Sequence, residues 1–217
     1  MPFSSQKIRA TAEAEPGITG FIGYDEINQQ ASPTAVNPYS ASAQIGDCLV
    51  LVGLLDNTSA TTTVPTGFDT RKNNTSNGFY AFTDDVWDGT NTSVTIDGGG
   101  GLVTSGGMAA FRGYVFDTIG TVDMNGDSTN PTPGSITLTS NDSIVVCLAG
   151  HYGGATASFS GTPSGYTQLF STSQFQNDPD PWVSLSYITG ISAGSYSAGS
   201  VTLGASGNAF LVGLRPV

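Results

Sequence analysis

The sequence predicts an all-β fold: a single jelly-roll-like antiparallel β-sandwich, built from two pseudo-repeated halves and preceded by an N-terminal arm. Three observations lead there. Short apolar or alternating segments recur every eight to twelve residues or so, spaced by Gly, Asn, Asp and Pro turn chemistry, and no stretch carries a helical period. Charged residues make up only 11 % of the 217, against 29 glycines and 10 % aromatics. That balance excludes a long charged helical protein and is too apolar for a disordered one. Finally, the second half repeats the first. Pro38 to Val52 aligns without a gap on Pro133 to Cys147, bringing Asp47 onto Asp142. Pro65-Thr-Gly-Phe68 matches Pro163-Ser-Gly-Tyr166, Ser93-Val-Thr-Ile96 matches Ser200-Val-Thr-Leu203, and Ala109 to Gly113 falls on Ala209 to Gly213.

In chain order, residues 1–17 read as an arm whose Ala/Glu content would tolerate a helix too short to be stable alone. Ile18 to Tyr24 reads as a strand, followed by a polar loop to Pro38. Cys48 to Leu55 and Ile144 to Ala149 are apolar on both parities, the mark of central strands covered on both faces. Val183-Ser-Leu-Ser-Tyr187 alternates apolar with serine, and Phe159, Val94-Thr-Ile96 and Val201-Thr-Leu203 keep the same period of two. Ala109 to Phe116 and Ala209 to Leu214 close pseudo-repeats of about 38–116 and 133–217, joined by a polar crossover over 117–134. Separate domains would each hold under about 100 residues without a linker, so 18–217 is expected to form one domain.

Charge narrows the function. The net −11 sets 17 acids against six bases, Lys7, Arg9, Arg71, Lys72, Arg112 and Arg215. Such a surface repels phosphate backbones, which excludes nucleic acid as a partner. No apolar run approaches the ~20 residues that span a bilayer, and the amino terminus lacks the apolar core of a secretory signal. Synthesis in a cytoplasm without export is the expectation, and Asn57 and Asn91 then carry no glycosylation meaning. Cys48 and Cys147 are expected as buried thiols; a disulfide is conceivable only if their strands are neighbours.

No set of residues forms a convincing catalytic constellation. His151 is the sole histidine, neither cysteine has an electropositive context, and no nucleophile elbow precedes a helix, so no enzyme is expected. Asp84-Asp-Val-Trp-Asp88 and Asp178-Pro-Asp-Pro-Trp182 set acids beside tryptophan, a pattern common to sugar sites and to capped loops. The glycan candidates are therefore Trp87, Trp182, Asp88 and Asp180. Asp123, Asn125 and Asp127 make an oxygen-rich run that could ligate calcium, although it lacks the Gly and the bidentate Glu of an EF-hand loop. Gly98 to Gly101 has no strand-to-helix context and reads as a loop, not a phosphate cradle. No cofactor is expected.

Gly46-Asp-Cys-Leu-Val-Leu-Val52, Val64-Pro-Thr-Gly-Phe68 and Met108-Ala-Ala-Phe-Arg-Gly113 occur in that order, and the chain ends on Phe210-Leu-Val-Gly-Leu-Arg-Pro-Val217. Over residues 38–217 this pattern resembles virion proteins of tailed bacteriophages. The chain departs from it with Phe68 and Tyr166 where Trp is usual and Tyr114 where Val is usual. The resemblance implies a β-sandwich displayed on a virion, foremost a capsid decoration (cement) protein that stabilises the head by bridging capsomers. Its partners would be the major capsid protein and itself, as a trimer at three-fold joints. The alternative is a tail fibre or tip component, or a carbohydrate (receptor)-binding module.

Overall fold

The computed structural model describes residues 20–31, 33–56, 60–74, 78–99, 102–121, 129–152, 161–171, 181–203 and 207–217. The expected arm lies outside them, as do Phe159, Asp180 and the calcium candidates Asp123, Asn125 and Asp127. Among the described residues there is no helix, and the strands form two sets of seven. The first set is β1 (Gly20–Ala31), β2 (Thr34–Val36), β3 (Cys48–Leu55), β4 (Asp69–Asn73), β5 (Phe79–Asp84), β6 (Val94–Ile96) and β7 (Val103–Arg112). The second is β8 (Tyr114–Ile119), β9 (Ile136–Leu138), β10 (Ser143–Tyr152), β11 (Thr167–Ser171), β12 (Pro181–Ile191), β13 (Gly194–Tyr196) and β14 (Gly207–Pro216).

Each set makes one five-stranded sheet and one ribbon. The orders are β1-β7-β3-β5-β4 and β8-β14-β10-β12-β11, with ribbons β2–β6 and β9–β13, so the topology repeats seven strands on. All pairings are antiparallel. In the first half β1 pairs with β7, β2 with β6 and β3 with β5, the nested winding of a rolled hairpin. The all-β, antiparallel, sandwich-like architecture is the expected one, and the same nested winding occurs in each half.

Three apolar layers hold this stack together. In the middle, Cys48, Val50, Val52 and Leu54 of β3, with Phe79 and Phe111, meet Ile144, Val146 and Leu148 of β10, with Phe210 and Val212. On the far face of the first sheet, Leu49, Leu51, Tyr80, Phe82 and Met108 lie under Val36, Val94 and Ile96. On the far face of the second, Val145, Cys147 and Leu211 lie under Ile136 and Leu138. β3 and β10 are therefore covered on both faces, which is why their runs are apolar on both parities. The halves face each other through like contacts. Phe21 of β1 sits 4.9 Å from Tyr187 of β12 and Tyr24 sits 5.8 Å from Phe170 of β11. At the opposite margin the Arg71 guanidinium of β4 lies 4.0 Å from the ring centre of Phe116 of β8.

Bulges index the repeat. β4 is bulged between Thr70 and Lys72, and β11 between Gln168 and Phe170. β1 is bulged after Phe21, and β8 after Phe116, where Thr118 follows as the next paired residue. Carried along the ladders, these equate Phe79 with Val183, Leu51 with Cys147, Cys48 with Ile144 and Arg112 with Arg215. Gly46 then coincides with Asp142, and both have positive φ, 97° and 58°. The alignment of Asp47 on Asp142 is one residue out, and one residue along a strand exchanges its two faces. The pairing of Ala109–Gly113 with Ala209–Gly213 is out of register too, and the strand in the place of β6 is β13 rather than Ser200–Leu203. The turn anchor holds: Phe68 N donates to Pro65 O at 3.1 Å and Tyr166 N to Pro163 O at 3.2 Å, with Gly67 and Gly165 at φ 86° and 85°.

The boundary between halves also moves. The expected strand Ala109–Phe116 breaks at Gly113, whose φ of 75° suits glycine, and the chain passes there from the first sheet to the second. The polar 117–134 segment falls inside the second half: residues 117–119 end β8, and the remainder precedes β9. β1 runs on through polar residues to Ala31, where a loop is expected, because β7 supplies a partner for each of Tyr24 to Ile27. The edge strands of the two five-stranded sheets, β1, β4, β8 and β11, each pair through a bulge, whereas the ribbons β2–β6 and β9–β13 pair without one. Bulged edges are poor templates for a further strand.

Candidate functional site

The end of the first half is organised by a buried ion pair. Gly46, in its positive-φ conformation, turns the chain so that Gln44 N donates to Asp47 Oδ2 at 2.8 Å. Arg112, the last residue of β7, donates from Nε to Asp47 Oδ1 at 2.9 Å and from its terminal nitrogen to Oδ2 at 3.0 Å. The side chains are 2 % and 11 % exposed, and the hydrogen bonds to Asp47 hold the guanidinium above its ordinary pKa. The Asp47 carbonyl accepts Trp87 N at 2.9 Å, while Gly46 N donates to the Trp87 carbonyl at 2.8 Å. The Trp87 ring is thereby locked in the core, with Tyr39 packed edge-on at 5.2 Å.

On this support stand three exposed apolar side chains, Tyr39, Ile45 and Val86. A Cβ on Gly89 would come within 3.0 Å of Ile45, so the Val86–Gly89 turn and Ile45 belong to one surface. Acids rim it. Asp88 Oδ1 accepts Thr90 Oγ1 at 2.7 Å and Thr90 N at 2.8 Å, and these bonds lower its pKa. Desolvation raises the pKa of Asp84, opposed by the Val86 N–H and reinforced by the charges of Asp88, Asp85 and Asp69. Beside the patch, a 430 Å³ groove lined by Thr63, Pro65, Thr66, Asn91 and Asp97 adjoins a 280 Å³ depression between Thr66, Asp84, Val86 and Asp88. Arg71, the bulged residue of β4, is engaged elsewhere, bonding Thr83 at 2.8 Å, Asp85 at 3.0 Å and Asp69 at 3.2 Å.

The glycan candidates are not assembled as a sugar platform. Trp87 is fully buried and Trp182 is 5 % exposed, its ring 5.1 Å from His151, so neither indole offers a face to a saccharide. Asp88 is exposed beside Trp87, and Asp180 lies outside the described residues. His151 does not begin a loop: it is fully buried within β10, paired with Trp182 and Gly207. Cys48 and Cys147 are free thiols in different layers, Cys48 in the middle core and Cys147 in the outer one. Burial pushes the pKa of both up, with nearby Asp85 and Asp84 adding at Cys48. Among the described residues no group of three or more His, Cys, Asp or Glu could hold a metal ion, and no helix is long and apolar enough to cross a membrane.

Sequence reasoning missed the Asp47–Arg112 pair. Its signal was in view, since Gly46-Asp47 and Phe111-Arg112-Gly113 both belong to the motif set, but only the fold shows that these two segments meet. No protein-family model, curated protein or solved structure matches the chain.

Proposed function

We propose that the chain is a non-catalytic structural protein of a virion, a capsid decoration protein that docks through the Tyr39–Ile45–Val86 end of its first half. One observation carries this reading: exposed apolar side chains gather at that end of a framework whose two five-stranded sheets have bulged edges. A surface apolar cluster with a polar rim is what a protein-docking face needs. The resemblance in motif order supplies the kind of partner, the major capsid protein, and the expectation of a trimer at three-fold joints. A framework of two packed sheets with three apolar layers suits a part that must add stiffness without adding chemistry.

The test is addition of purified protein to heads that lack it. Saturable, stoichiometric co-sedimentation and a higher melting temperature of the heads are the expected results, and Ile45→Asp and Val86→Asp should abolish both without lowering the protein's own Tm. Wild-type protein that ignores the heads, or variants that bind as well, would overturn the reading. Saturable binding to host cells, unaffected by Ile45→Asp, would favour the receptor-binding alternative through the polar groove.

A further inference from the structure

Pro65 interrupts a ladder that its neighbours begin. Thr63 N and Thr62 Oγ1 both donate to the Asp97 carbonyl, a single antiparallel bridge between the 60–66 segment and the residue after β6. Beyond it Pro65 has no N–H to give, and its carbonyl is taken by Phe68 N in the turn. The two segments therefore part, and the 430 Å³ groove opens between residues 63–66 and 93–97. At its far end Asn91 Nδ2 donates to Thr66 O at 2.9 Å and ties the two walls together.

One wall of this groove is an unpaired strand edge. β6 pairs with β2 on its other side, Val94 with Val36 and Ile96 with Thr34. Successive residues of a strand turn their peptide groups to opposite edges. The Asp97 carbonyl points to Thr63, so Thr95 turns its N–H and C=O toward the groove. Among the described residues no backbone group pairs with either. The edge has no bulge, and Ser93 and Thr95 on it are small, exposed and uncharged, so it lacks the usual guards against a further strand. From Ser93 to Asp97 it runs about 14 Å, room for about four or five extended residues.

Charge selects the occupant. The groove shares Thr66 and Asn91 with the 280 Å³ depression that holds Asp84 and Asp88. The ion pairs of the described residues engage Asp47, Asp69 and Asp85 and neither of these two. A second copy would bring the same net −11, which like-charge repulsion disfavours. We propose that β6 accepts an extended segment of a partner protein as a third, antiparallel strand of the β2–β6 ribbon, with a lysine or arginine of that segment seated between Asp84 and Asp88. Main-chain bonds to Thr95 hold such a strand, and the base sets its register. Asn91 lies four residues before Thr95, so the base falls about four residues after the one that faces Thr95. The site adjoins Val86 but does not rest on what the Tyr39–Ile45–Val86 surface binds.

Selection from a random peptide library on the immobilised full chain, then titration of a selected peptide into isotope-labelled protein, tests it. The expected peptides are extended, rich in β-branched residues, and end on lysine or arginine. In the free chain the Thr95 amide should exchange its hydrogen faster than the laddered Ile96 amide, and bound peptide should slow it at least about tenfold. Thr95→Pro removes an N–H that β2 does not use, and should weaken binding at least about tenfold at unchanged Tm. The peptide carries the same test should that variant lose Tm: with N-methyl groups on alternate residues, only one of the two parities should bind. In D84N/D88N the preference for lysine over glutamine at the last position, about fivefold in the wild type, should vanish. Failure to select any peptide, or binding indifferent both to Thr95→Pro and to the parity of methylation, would overturn the proposal. So would a neutral oligosaccharide filling the groove in place of peptide, or Thr95 protection that rises with protein concentration alone, which would assign the edge to a second copy. No capsid is present in this experiment, so its outcome is separate from the head-binding assay.

Discussion

Removing the cation beneath the Tyr39–Ile45–Val86 surface should unfold more than a local contact. In Arg112→Met the Asp47 carboxylate, 2 % exposed, keeps the Gln44 N–H but loses both guanidinium bonds, of 2.9 and 3.0 Å. Leaving one member of a buried pair uncompensated costs about 3–5 kcal/mol. A chain of this size loses about 2–4 °C of Tm per kcal/mol, so a fall on the order of 10 °C is expected by calorimetry. Because Asp47 also holds the Trp87 backbone, tryptophan emission should shift to longer wavelength before the global transition. The double variant Asp47→Leu/Arg112→Met removes both charges and should recover most of the loss, falling short of wild type by about 1 kcal/mol for the missing Gln44 bond. Arg112→Lys should lie between, since an ammonium cannot make the parallel pair of bonds. A Tm for Arg112→Met within 2 °C or so of wild type, or a double variant less stable than the single one, would refute the reasoning.

Three other outcomes follow from the same structure. Cys48 and Cys147 should resist a thiol reagent at pH 8 and both react in denaturant, because burial raises both thiols; prompt labelling of the native protein would contradict their placement. Gly113→Ala forces a side chain into a φ of 75° at the crossing between sheets, with an expected cost of about 1–2 kcal/mol, and an unchanged Tm would show that the crossing relaxes freely. Asp84 has a folded pKa raised by desolvation and by its acidic neighbours, so the unfolded chain gives up this proton first. Stability should therefore fall as pH rises from the ordinary carboxylate range through the folded pKa, and Asp84→Asn should raise Tm by a degree or two at pH 7 and leave it unchanged near pH 3; an equal shift at both would remove the charge as its cause.

Much of the fold was legible because its causes are local. β3 and β10 declare themselves by apolar residues on both parities, and the Val183–Tyr187 alternation puts Val183 and Leu185 in the middle core as a period of two requires. What failed was register. Asp47 and Asp142 look alike in a linear string, yet comparing the two halves' ladders makes Gly46 the equivalent of Asp142, and only the ladder shows which face a residue takes. Gly113 was hidden in an apolar run because the change of sheet occurs at one residue with no polar loop to mark it. The Trp87 end was illegible for a related reason. Trp87 reads as a surface aromatic beside acids, but the two hydrogen bonds that bury it run to Gly46 and Asp47, some forty residues upstream. The Asp-Trp pattern alone cannot tell a capped loop from a sugar platform, since both set acids beside an aromatic ring.

The repeat shows where equivalent positions of the two halves differ. Exchanging the halves carries β1 onto β8 and β11 onto β4, so the β1–β11 margin and the β4–β8 margin are one contact seen twice, as in a two-fold dimer made of a single chain. The strands that build this contact are equivalent in order, pairing and bulges. The outer faces are not. Tyr80 and Phe82, stacked at 5.8 Å over the first sheet, correspond to Ser184 and Ser186 on the second. The Asp47–Arg112 pair corresponds to Ser143 and an exposed Arg215. Most of the exposed large apolar residues, Tyr24, Tyr39, Ile45, Val64 and Val86, belong to the first half. A duplicated framework needs none of these differences to stand, because each half closes its own sheet and both share the middle core. The ion pair, the buried Trp87 and the patch above it are coupled by named bonds and occur together on one side only. That asymmetry sets the first half's end apart, while the second half supplies the other side of the shared middle core.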